Sequence, residues 1–271
     1  MPAESASNTA LLAVAREIAL AAGALAKERR EEGVEVAASK SSAEDVVTFA
    51  DRETEALIRS LIAEARPNDG FFGEESGAEA GSSGLTWVVD PIDGTVNFLY
   101  GIPHYAVSIA VVEGEPDPGT WRALAGVVVN PASGELFTAA AGTGAFLGEK
   151  AIRVAPAVDL SQGLVGTGFA YLAGIRTEQA AIVGGLIHQV RDIRRMGAAS
   201  LDLCAVACGR LNAYYERGLN PWDHAAGALI ATEAGARVSG LRGAAVSREF
   251  ILAAEPAMAA RLEHVLLGLG A

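Results

Sequence analysis

The sequence predicts a mixed α and β chain with two lobes, the first made of helices on a mostly antiparallel sheet and the second of alternating helices and strands. Three patterns in order along the chain support this fold class. Residues 1–70 carry helical apolar repeats, residues 71–146 carry short β-rich runs between turn residues, and helical and strand patterns alternate beyond Gly148. We therefore expect one unit over 1–271, with lobes of about 1–148 and 149–271.

Two helices are predicted in the first seventy residues. Apolar positions keep a helical period over residues 8–30. The polar residues 39–47 predict a loop. The second helix should begin near Thr48, because Thr48 and Asp51 have the spacing of a capping box, and the Pro-Asn-Asp-Gly turn at 67–70 should end it.

The remaining elements are assigned from apolar runs, turn residues and helical periods. In the first lobe the predicted strands are 71–72, 86–89, 105–112, 123–129 and 135–139. In the second lobe the predicted helices are 177–189, 198–207, 221–234 and 256–267, and the predicted strands are 192–195, 212–216 and 250–253.

The composition is that of a globular protein with a substantial core, since 51% of the 271 residues are hydrophobic and 20% are charged. The formal net charge is −12, from 21 Lys and Arg against 33 Asp and Glu. We do not expect DNA or RNA as the main partner of such an acidic chain, because phosphate backbones require a basic face. A small anionic substrate is compatible with this charge if a metal supplies the positive charge.

Neither a membrane partner nor an export signal is expected. The longest apolar stretch, residues 9–26, is interrupted by Arg16 and Glu17 and falls short of a membrane span, and no basic cluster precedes it. We therefore expect a cytoplasmic protein. Cys204 and Cys208 are expected to be free thiols, which agrees with a reducing compartment.

Two acids at the end of a predicted buried strand form the most informative segment. Asp90 and Asp93 are three residues apart, with Pro91 between them and Gly94 permitting a tight turn. Such a strand end can direct both carboxylates and the intervening carbonyl into one concavity, and hard divalent cations such as Mg²⁺ bind oxygen ligands of this kind. A short helix starting at Gly94 would add free amides for a phosphate. An ordinary Asx turn explains the same residues equally well.

Three further acids each have a structural as well as a functional interpretation. Glu74 follows a predicted strand and could be a solvated loop acid. Asp51 lies in the first turn of its helix, where an acid contributes roughly 0.3–1 kcal/mol through the helix dipole. Asp223 occupies the third helical position after Asn220 and Pro221, where an acid is again favourable.

Together these segments resemble the inositol monophosphatase family, which belongs to the lithium-sensitive, metal-dependent sugar phosphatases. The resemblance runs from about residue 10 to residue 267 and is carried by Asp-Pro-Ile-Asp-Gly-Thr at 90–95 and Trp-Asp at 222–223. Further matching segments are 40–51, 73–76, 197–199 and 213–216, while 97–101, 166–169 and 194–195 are most similar to the bacterial inositol-1-monophosphatases. The family implies an αβαβα sandwich that is a single catalytic unit and forms a homodimer.

The resemblance implies two or three Mg²⁺ ions in each active site. Glu74, Asp90 and the backbone carbonyl of Ile92 would bind the first ion. Asp90, Asp93 and Asp223 would bind the second, and Glu74 with waters would hold a weaker third. Two such ions can stabilise both the attacking and the leaving oxygen of a phosphate ester.

The same resemblance implies roles in the reaction. Asp51 and Thr95, together with Glu74, would orient and deprotonate the attacking water in line with the scissile bond. The amides of Gly94 and Thr95, next to Asp93, would hold the phosphate. Charge stabilisation and positioning suffice for this chemistry, so a nucleophilic Cys or His is not required.

The hydroxyl groups of the substrate are expected to bind in the second lobe. By resemblance, Glu216 and the segment of Gly197, Ala198 and Ala199 would contact them. Ala198 stands where the family often has a hydroxyl residue, so we expect only a backbone contact there. Without the resemblance, Glu216 would be interpreted as an exposed strand-end acid. Lys40 aligns with a lysine near the family's site and is also explained as a solvated loop residue.

The predicted function is Mg²⁺-dependent hydrolysis of myo-inositol monophosphate by in-line attack of a metal-activated water, with inhibition by lithium. One alternative keeps this chemistry on histidinol phosphate, fructose 1,6-bisphosphate or adenosine 3′,5′-bisphosphate. A bisphosphate enzyme needs a second basic pocket, which the sequence does not identify, although one of Arg191, Arg194 and Arg195 could reach a substrate phosphate. The other alternative is a non-catalytic metal-dependent binding protein, against which the complete acidic set argues.

Overall fold

The computed structural model describes residues 2–34, 36–39 and 46–271, which form an αβαβα sandwich. Its helices are α1 (Pro2–Glu32), α2 (Phe49–Ala65), α3 (Thr95–Tyr100), α4 (Ala173–Leu186), α5 (Ala199–Ala207), α6 (Pro221–Glu233) and α7 (Pro256–Gly268). The predicted layered mixture of α and β structure is confirmed. The boundary between two lobes near residue 148 stays a prediction.

Among the described residues, ten strands precede residue 153. They are β1 (Val36–Ser39), β2 (Val46–Thr48), β3 (Gly70–Gly73), β4 (Gly77–Glu79), β5 (Leu85–Asp93), β6 (Ala106–Glu113), β7 (Arg122–Asn130), β8 (Glu135–Ala140), β9 (Ala145–Leu147) and β10 (Lys150–Ile152). β1 and β2 form a separate hairpin, and the other eight form the first sheet in the order β10-β9-β8-β7-β6-β5-β3-β4. Adjacent strands are antiparallel except β3 and β5, so the predicted mostly antiparallel sheet is confirmed.

Five strands form the second sheet. They are β11 (Leu164–Thr167), β12 (Asp192–Arg194), β13 (Ala213–Glu216), β14 (Arg237–Ser239) and β15 (Ile251–Ala254), in the order β12-β11-β13-β15-β14. The first three strands in that order are parallel, and β15 runs antiparallel to both of its neighbours. Helices alternate with these strands along the chain, as predicted.

Alternating side chains on the strands produce the layers. On β5, Trp87 and Val89 pack with α1 and α2, whereas Val88 faces the central layer of α5 and α6. The far side of that central layer is the second sheet, whose outer face, including Val165 and Leu252, is covered by α4 and α7. The central helices therefore lie between two sheets, and the strand ends that flank them can meet.

The helix α1 is longer than predicted. By length and composition alone, its segment Ser7–Glu32 could cross a membrane, with a mean hydropathy of 1.6, so the expectation that this stretch falls short of a span is wrong. Alanine and leucine dominate it, and Arg16 and Glu17 are too few to lower the average. Its apolar side, including Ala15 and Ile18, is nevertheless buried against the first sheet, which is the packing of an amphipathic core helix.

The strands that the sequence analysis missed are short. β4, β9, β10, β11 and β14 have three or four residues each, too few for a pattern of period two to stand out. β11 also contains Gly166, where an added Cβ would lie 2.8 Å from Cδ1 of Leu211. The predicted loop at 39–47 mostly lies outside the described residues, its first residue belongs to the likewise unpredicted strand β1, and its last two residues belong to β2. These strands are specified by their neighbours in the sheet.

Candidate active site

A cavity of about 360 Å³ at the ends of β5 and β13 brings most of the predicted site residues together. Its walls include Glu74, Asp90, Ile92, Asp93, Gly94, Thr95, Gly197, Ala199, Glu216 and Asp223. Asp51 and Ala198 are buried behind this wall, each 1% exposed, so a direct side-chain contact of Ala198 with a substrate is excluded. Lys40 lies outside the described residues.

The end of β5 explains how two of its acids reach one cavity. β5 and β6 pair regularly up to Asp90 opposite Ser108, and the register then shifts so that Asp93 lies opposite Ala106. The shift places one extra residue on β5 and bends the strand. The amide of Ile92 donates to Oδ1 of Asp90 at 3.1 Å, which is the hydrogen bond of an Asx turn. The Asx-turn interpretation of this segment is therefore confirmed, and its interpretation as a cation site stays a prediction.

Gly94 turns the chain from β5 into α3. Its φ of 88° lies in the left-handed region that favours glycine. An added Cβ would lie 3.1 Å from the carbonyl oxygen of Gly197 and 3.2 Å from Cβ of Ala198. The short helix predicted to start at Gly94 is confirmed, and its first turn contacts the segment that precedes α5.

Asp51 and Asp223 take the same position in two different helices. In α2, the amide of Thr48 donates to Oδ2 of Asp51 at 2.7 Å, and the hydroxyl of Thr48 donates to the same oxygen. In α6, the amide of Asn220 donates to Oδ2 of Asp223 at 2.6 Å. Both acids therefore stabilise a helix N-terminus, as the structural interpretation predicted.

Thr95 connects the buried Asp51 to the cavity. Its hydroxyl oxygen lies 3.3 Å from Oδ1 of Asp51 and 3.1 Å from the carbonyl oxygen of Ile92, and its single proton can be donated to one of them at a time. Burial raises the pKa of Asp51 to about 7, against hydrogen bonds from Thr48 that lower it. The pair can thus move a proton between the cavity wall and a carboxylate that titrates near neutrality.

The acids around the cavity repel one another. Burial raises the pKa of Asp90 and of Asp223 well above the usual range, and the charges of Glu74 and Asp93 raise both further. Burial also raises the pKa of Asp93 to about 6, although hydrogen bonds from Ser200 lower it. A divalent cation would relieve this repulsion, because it favours the charged form of every carboxylate around it.

The donor chemistry fits a hard divalent cation, since it consists of carboxylate and carbonyl oxygens. Within the described ranges, however, no three acidic, histidine or cysteine side chains are already gathered closely enough to hold one ion. Asp93 shows why. Its Oδ1 accepts from the amide of Ala199 at 3.2 Å, and its Oδ2 accepts from the amide of Ser200 at 2.7 Å and from the Ser200 hydroxyl. Binding an ion would draw the carboxylates together.

Ser200 is a site contact that the sequence analysis missed. Helix α5 begins after Ala198, which has no side chain able to cap it, and Asp93 supplies the cap from the first sheet. The sequence feature that could have identified this contact is the hydroxyl of Ser200 in the first turn of a predicted helix.

Glu216 lies on the cavity wall at the end of β13, so its interpretation as an exposed strand-end acid is wrong. The hydroxyl of Tyr214 donates to its Oε2. Gly168 leaves the space for this carboxylate, since an added Cβ would overlap it. Burial raises the pKa of Glu216 to about 7, opposed by Tyr214 and by the charge of Arg195. The carboxylate is therefore fixed by its neighbours and faces the same cavity as the acids of β5.

The cavity also has a basic side. Arg195, Arg217 and Arg248 line it, and of the three arginines weighed from the sequence only Arg195 is among them. Arg217 forms an ion pair with Glu178 at 3.1 Å. The ion pairs within the described residues leave Arg248 without an acidic partner. The sequence analysis identified no second basic pocket, and these three arginines line the same cavity as the acids.

One family model matches nearly the whole chain, over residues 7–267, and describes the inositol monophosphatase family. This chain belongs to the inositol monophosphatase family. As a member of that family it is a metal-dependent phosphoric monoester hydrolase, which confirms the predicted family and enzyme class.

Individual relatives of this phosphatase agree in sequence and in fold. The inositol-1-monophosphatase of Mycobacterium bovis is 46% identical over 246 residues, covering 84% of this chain and 83% of the relative. The solved structure of extragenic suppressor protein suhB from Bartonella henselae has a TM-score of 0.87 at 36% identity and covers 95% of this chain and 98% of its own. Mycobacterium tuberculosis SuhB has a TM-score of 0.81 at 42% identity and covers 97% of both chains.

Proposed function

We propose that this family member hydrolyses myo-inositol monophosphate to myo-inositol and phosphate, with Mg²⁺ as its metal. The observation that carries the proposal is a cavity lined by two unlike groups of residues, the acids at the end of β5, and Glu216 with the start of α5. A fixed carboxylate is an acceptor for several hydroxyl groups and suits a neutral polyol. The Mycobacterium bovis relative is named an inositol-1-monophosphatase, which supports this substrate.

The acid half would hold two or three Mg²⁺ ions through Glu74, Asp90, Asp93, Asp223 and the carbonyl of Ile92. When bound, the ions would supply the positive charge that stabilises the reacting phosphate and activates the attacking water. The raised pKa values of Asp90, Asp93 and Asp223 support this assignment, because buried like charges favour a cation among them.

Thr95 and Asp51 would accept the proton that the attacking water loses. The Thr95 hydroxyl lies on the wall and would orient the water while donating its own proton to Oδ1 of Asp51, 3.3 Å away. A base whose pKa is about 7 is matched to neutral pH. The amides at the start of α3, after Gly94, would hold the phosphate in line.

The polyol half would fix the leaving group. Glu216, held by the Tyr214 hydroxyl, would accept hydrogen bonds from two substrate hydroxyls, and the backbone of Gly197 and Ala199 would contact others. Because both the phosphate and the ring would be held on the enzyme, the reaction becomes effectively intramolecular, which supplies a large part of the rate enhancement.

A second candidate keeps the chemistry and changes the leaving group. The guanidinium groups of Arg195 and Arg248 on the cavity wall would favour an ester that carries an additional anionic group. Fructose 1,6-bisphosphate and adenosine 3′,5′-bisphosphate are esters of this kind.

Phosphate release from a substrate panel tests these proposals. Inositol 1-phosphate, histidinol phosphate, fructose 1,6-bisphosphate and adenosine 3′,5′-bisphosphate are compared with and without Mg²⁺, with Asp90→Asn as the matched control. We expect the inositol ester to be preferred and its hydrolysis to be lost in the variant. A preference for a bisphosphate would favour the second candidate, and no release from any ester would favour a non-catalytic metal-dependent binding protein.

We also propose a cytoplasmic homodimer that lithium inhibits, without nucleic-acid or membrane partners. The two cysteines are free thiols, which suits a reducing compartment, and the net charge of −12 disfavours nucleic acids. Sedimentation would give the oligomeric state. Full activity at high lithium concentration would contradict the proposed cation sites.

A further inference from the structure

Asn97 joins two distant parts of the chain with one side chain. It lies in α3 and is 6% exposed. Its Nδ2 donates to the carbonyl oxygen of His104 at 2.8 Å and to that of Met196 at 2.8 Å, which uses both amide protons. His104 follows α3, whereas Met196 precedes α5, so the amide ties the end of the first sheet to the central layer.

The two acceptors stand beside two glycine turns that touch each other. Gly94 and Gly197 have φ angles of 88° and 94°. An added Cβ on Gly94 would lie 3.1 Å from the Gly197 oxygen and 3.2 Å from the His104 oxygen, and one on Gly197 would lie 3.0 Å from Nδ2 of Asn97. A side chain on either glycine would therefore separate the turns or displace Asn97.

These turns carry the two halves of the proposed site. The Gly94 turn leads to Thr95 and the amides proposed to hold the phosphate, and the Gly197 turn leads to the segment proposed to contact substrate hydroxyls. Asp93 also links them, because its oxygens accept from α5, and it is a proposed metal ligand as well. Asn97 is buried and does not line the cavity, and its Nδ2 joins the two turns.

We propose that Asn97 is a positioning residue that sets the distance between two parts of the active site. These are the Gly94 turn, proposed to bind the phosphate, and the Gly197 turn, proposed to bind the substrate hydroxyls. This inference rests on the proposed function and makes its specificity depend on a side chain that does not touch the substrate. The hydrolysis of an ester that contacts both turns, such as inositol 1-phosphate, depends on the distance between them. Glycerol 2-phosphate has a small, flexible leaving group, so it depends on the separation far less.

Asn97→Asp removes both N–H donors at nearly constant volume and places a carboxylate against two carbonyl oxygens. The measured quantity is the ratio of kcat/KM for inositol 1-phosphate to kcat/KM for glycerol 2-phosphate. A loss of folded enzyme lowers both values equally and leaves the ratio unchanged. We expect the ratio to fall about tenfold, because misplacement on the scale of an ångström impairs catalysis strongly.

Asn130→Asp is the matched control. Asn130 is also buried, at 4% exposed, and its Nδ2 donates to the carbonyl oxygen of Pro103, in the same loop as His104, at 3.3 Å. Unlike Asn97, it makes none of the described hydrogen bonds to the segment that precedes α5. We expect this variant to keep the ratio within about twofold of wild type, since positioning of the reacting groups is unaffected. If Asn97→Asp does not fold, Asn97→Ser, which keeps one donor, is measured in the same way.

A ratio that stays at the wild-type value in the folded Asn97 variant, or that falls equally in the Asn130 variant, would overturn the inference. Wild-type protein that releases phosphate from neither ester would instead refute the proposed function, and the inference with it. The two failures are distinguishable because the first requires an active wild-type enzyme.

Discussion

Asp51 and Asp223 occupy the same local structure in different surroundings. Each is the third residue of a helix and accepts a hydrogen bond from the amide of the residue before that helix, at 2.7 Å from Thr48 and 2.6 Å from Asn220. Asp223 lines the cavity among other acids, whereas Asp51 is buried behind Thr95. A capping pattern therefore positions a carboxylate, and the neighbours supplied by the rest of the fold decide its chemistry.

Replacing each acid by asparagine should separate their roles and gives the largest expected effects. Asp223→Asn should lower kcat/KM by about 10³-fold and raise the Mg²⁺ concentration for half-maximal activity, because a proposed ligand loses its charge. Asp51→Asn should lower kcat by about 10²-fold without changing the Mg²⁺ requirement, because a general base is lost. Phosphate release measured against Mg²⁺ concentration tests both.

Asparagine retains an acceptor oxygen, so both helix caps can persist in these variants. Thermal unfolding of each variant checks that they do. An equal shift in the Mg²⁺ requirement for the two variants would contradict the proposed difference between Asp51 and Asp223.

The stability of the metal-free protein should decrease as pH rises. The folded pKa values of Asp51 and Glu216, about 7 each, lie above their ordinary values of 3.8 and 4.5. The folded state thus binds more protons than the unfolded state between those values, so stability present at low pH is lost as pH rises through about 7. In EDTA, Tm should be on the order of 10 °C higher near pH 5 than near pH 8.

Added Mg²⁺ should raise Tm more at the higher pH, where the carboxylates are charged and can bind it. Glu216→Gln serves as the control, since it removes one titrating group from the polyol half and should flatten the dependence in EDTA. A Tm that rises with pH in the metal-free protein would be incompatible with the raised pKa values.

The smallest expected effect comes from the cap of α2, where Thr48 contributes a hydroxyl to Asp51. Thr48→Ala should lower the stability by about 1 kcal/mol, or Tm by about 2–4 °C, because a helix cap is lost. The Thr48 hydroxyl lowers the pKa of Asp51 in the wild-type protein, so its removal should raise that pKa. The acidic limb of the pH–rate profile should therefore move to higher pH. Thr48→Ser keeps the hydroxyl and should behave like wild type. An unchanged profile in Thr48→Ala would argue against Asp51 as the base.

Much of the fold was predictable because its longer elements carry their own patterns. The capping box that begins α2, the start of α6 at Asn220 and Pro221, and the strand that leads into Asp90 were identified from neighbouring residues. Short strands such as β11 and β14 were not, because three or four residues become a strand only when a neighbouring strand pairs with them. The burial of Glu216 was likewise not predictable without the family resemblance, since it depends on Gly168, forty-eight residues earlier, leaving space for it.

The sequence by itself determined the family, the layered fold and the acids that face the cavity, because these depend on local periodicity, caps and a motif of contiguous residues. Only the tertiary structure decided that Asp93 caps α5, that Arg248 reaches the cavity and that Asn97 donates to the backbone of Met196, 99 residues away. Hydrogen bonds and charge interactions act over a few ångströms in space, whatever the separation along the chain. A sequence pattern describes only the neighbours along that chain.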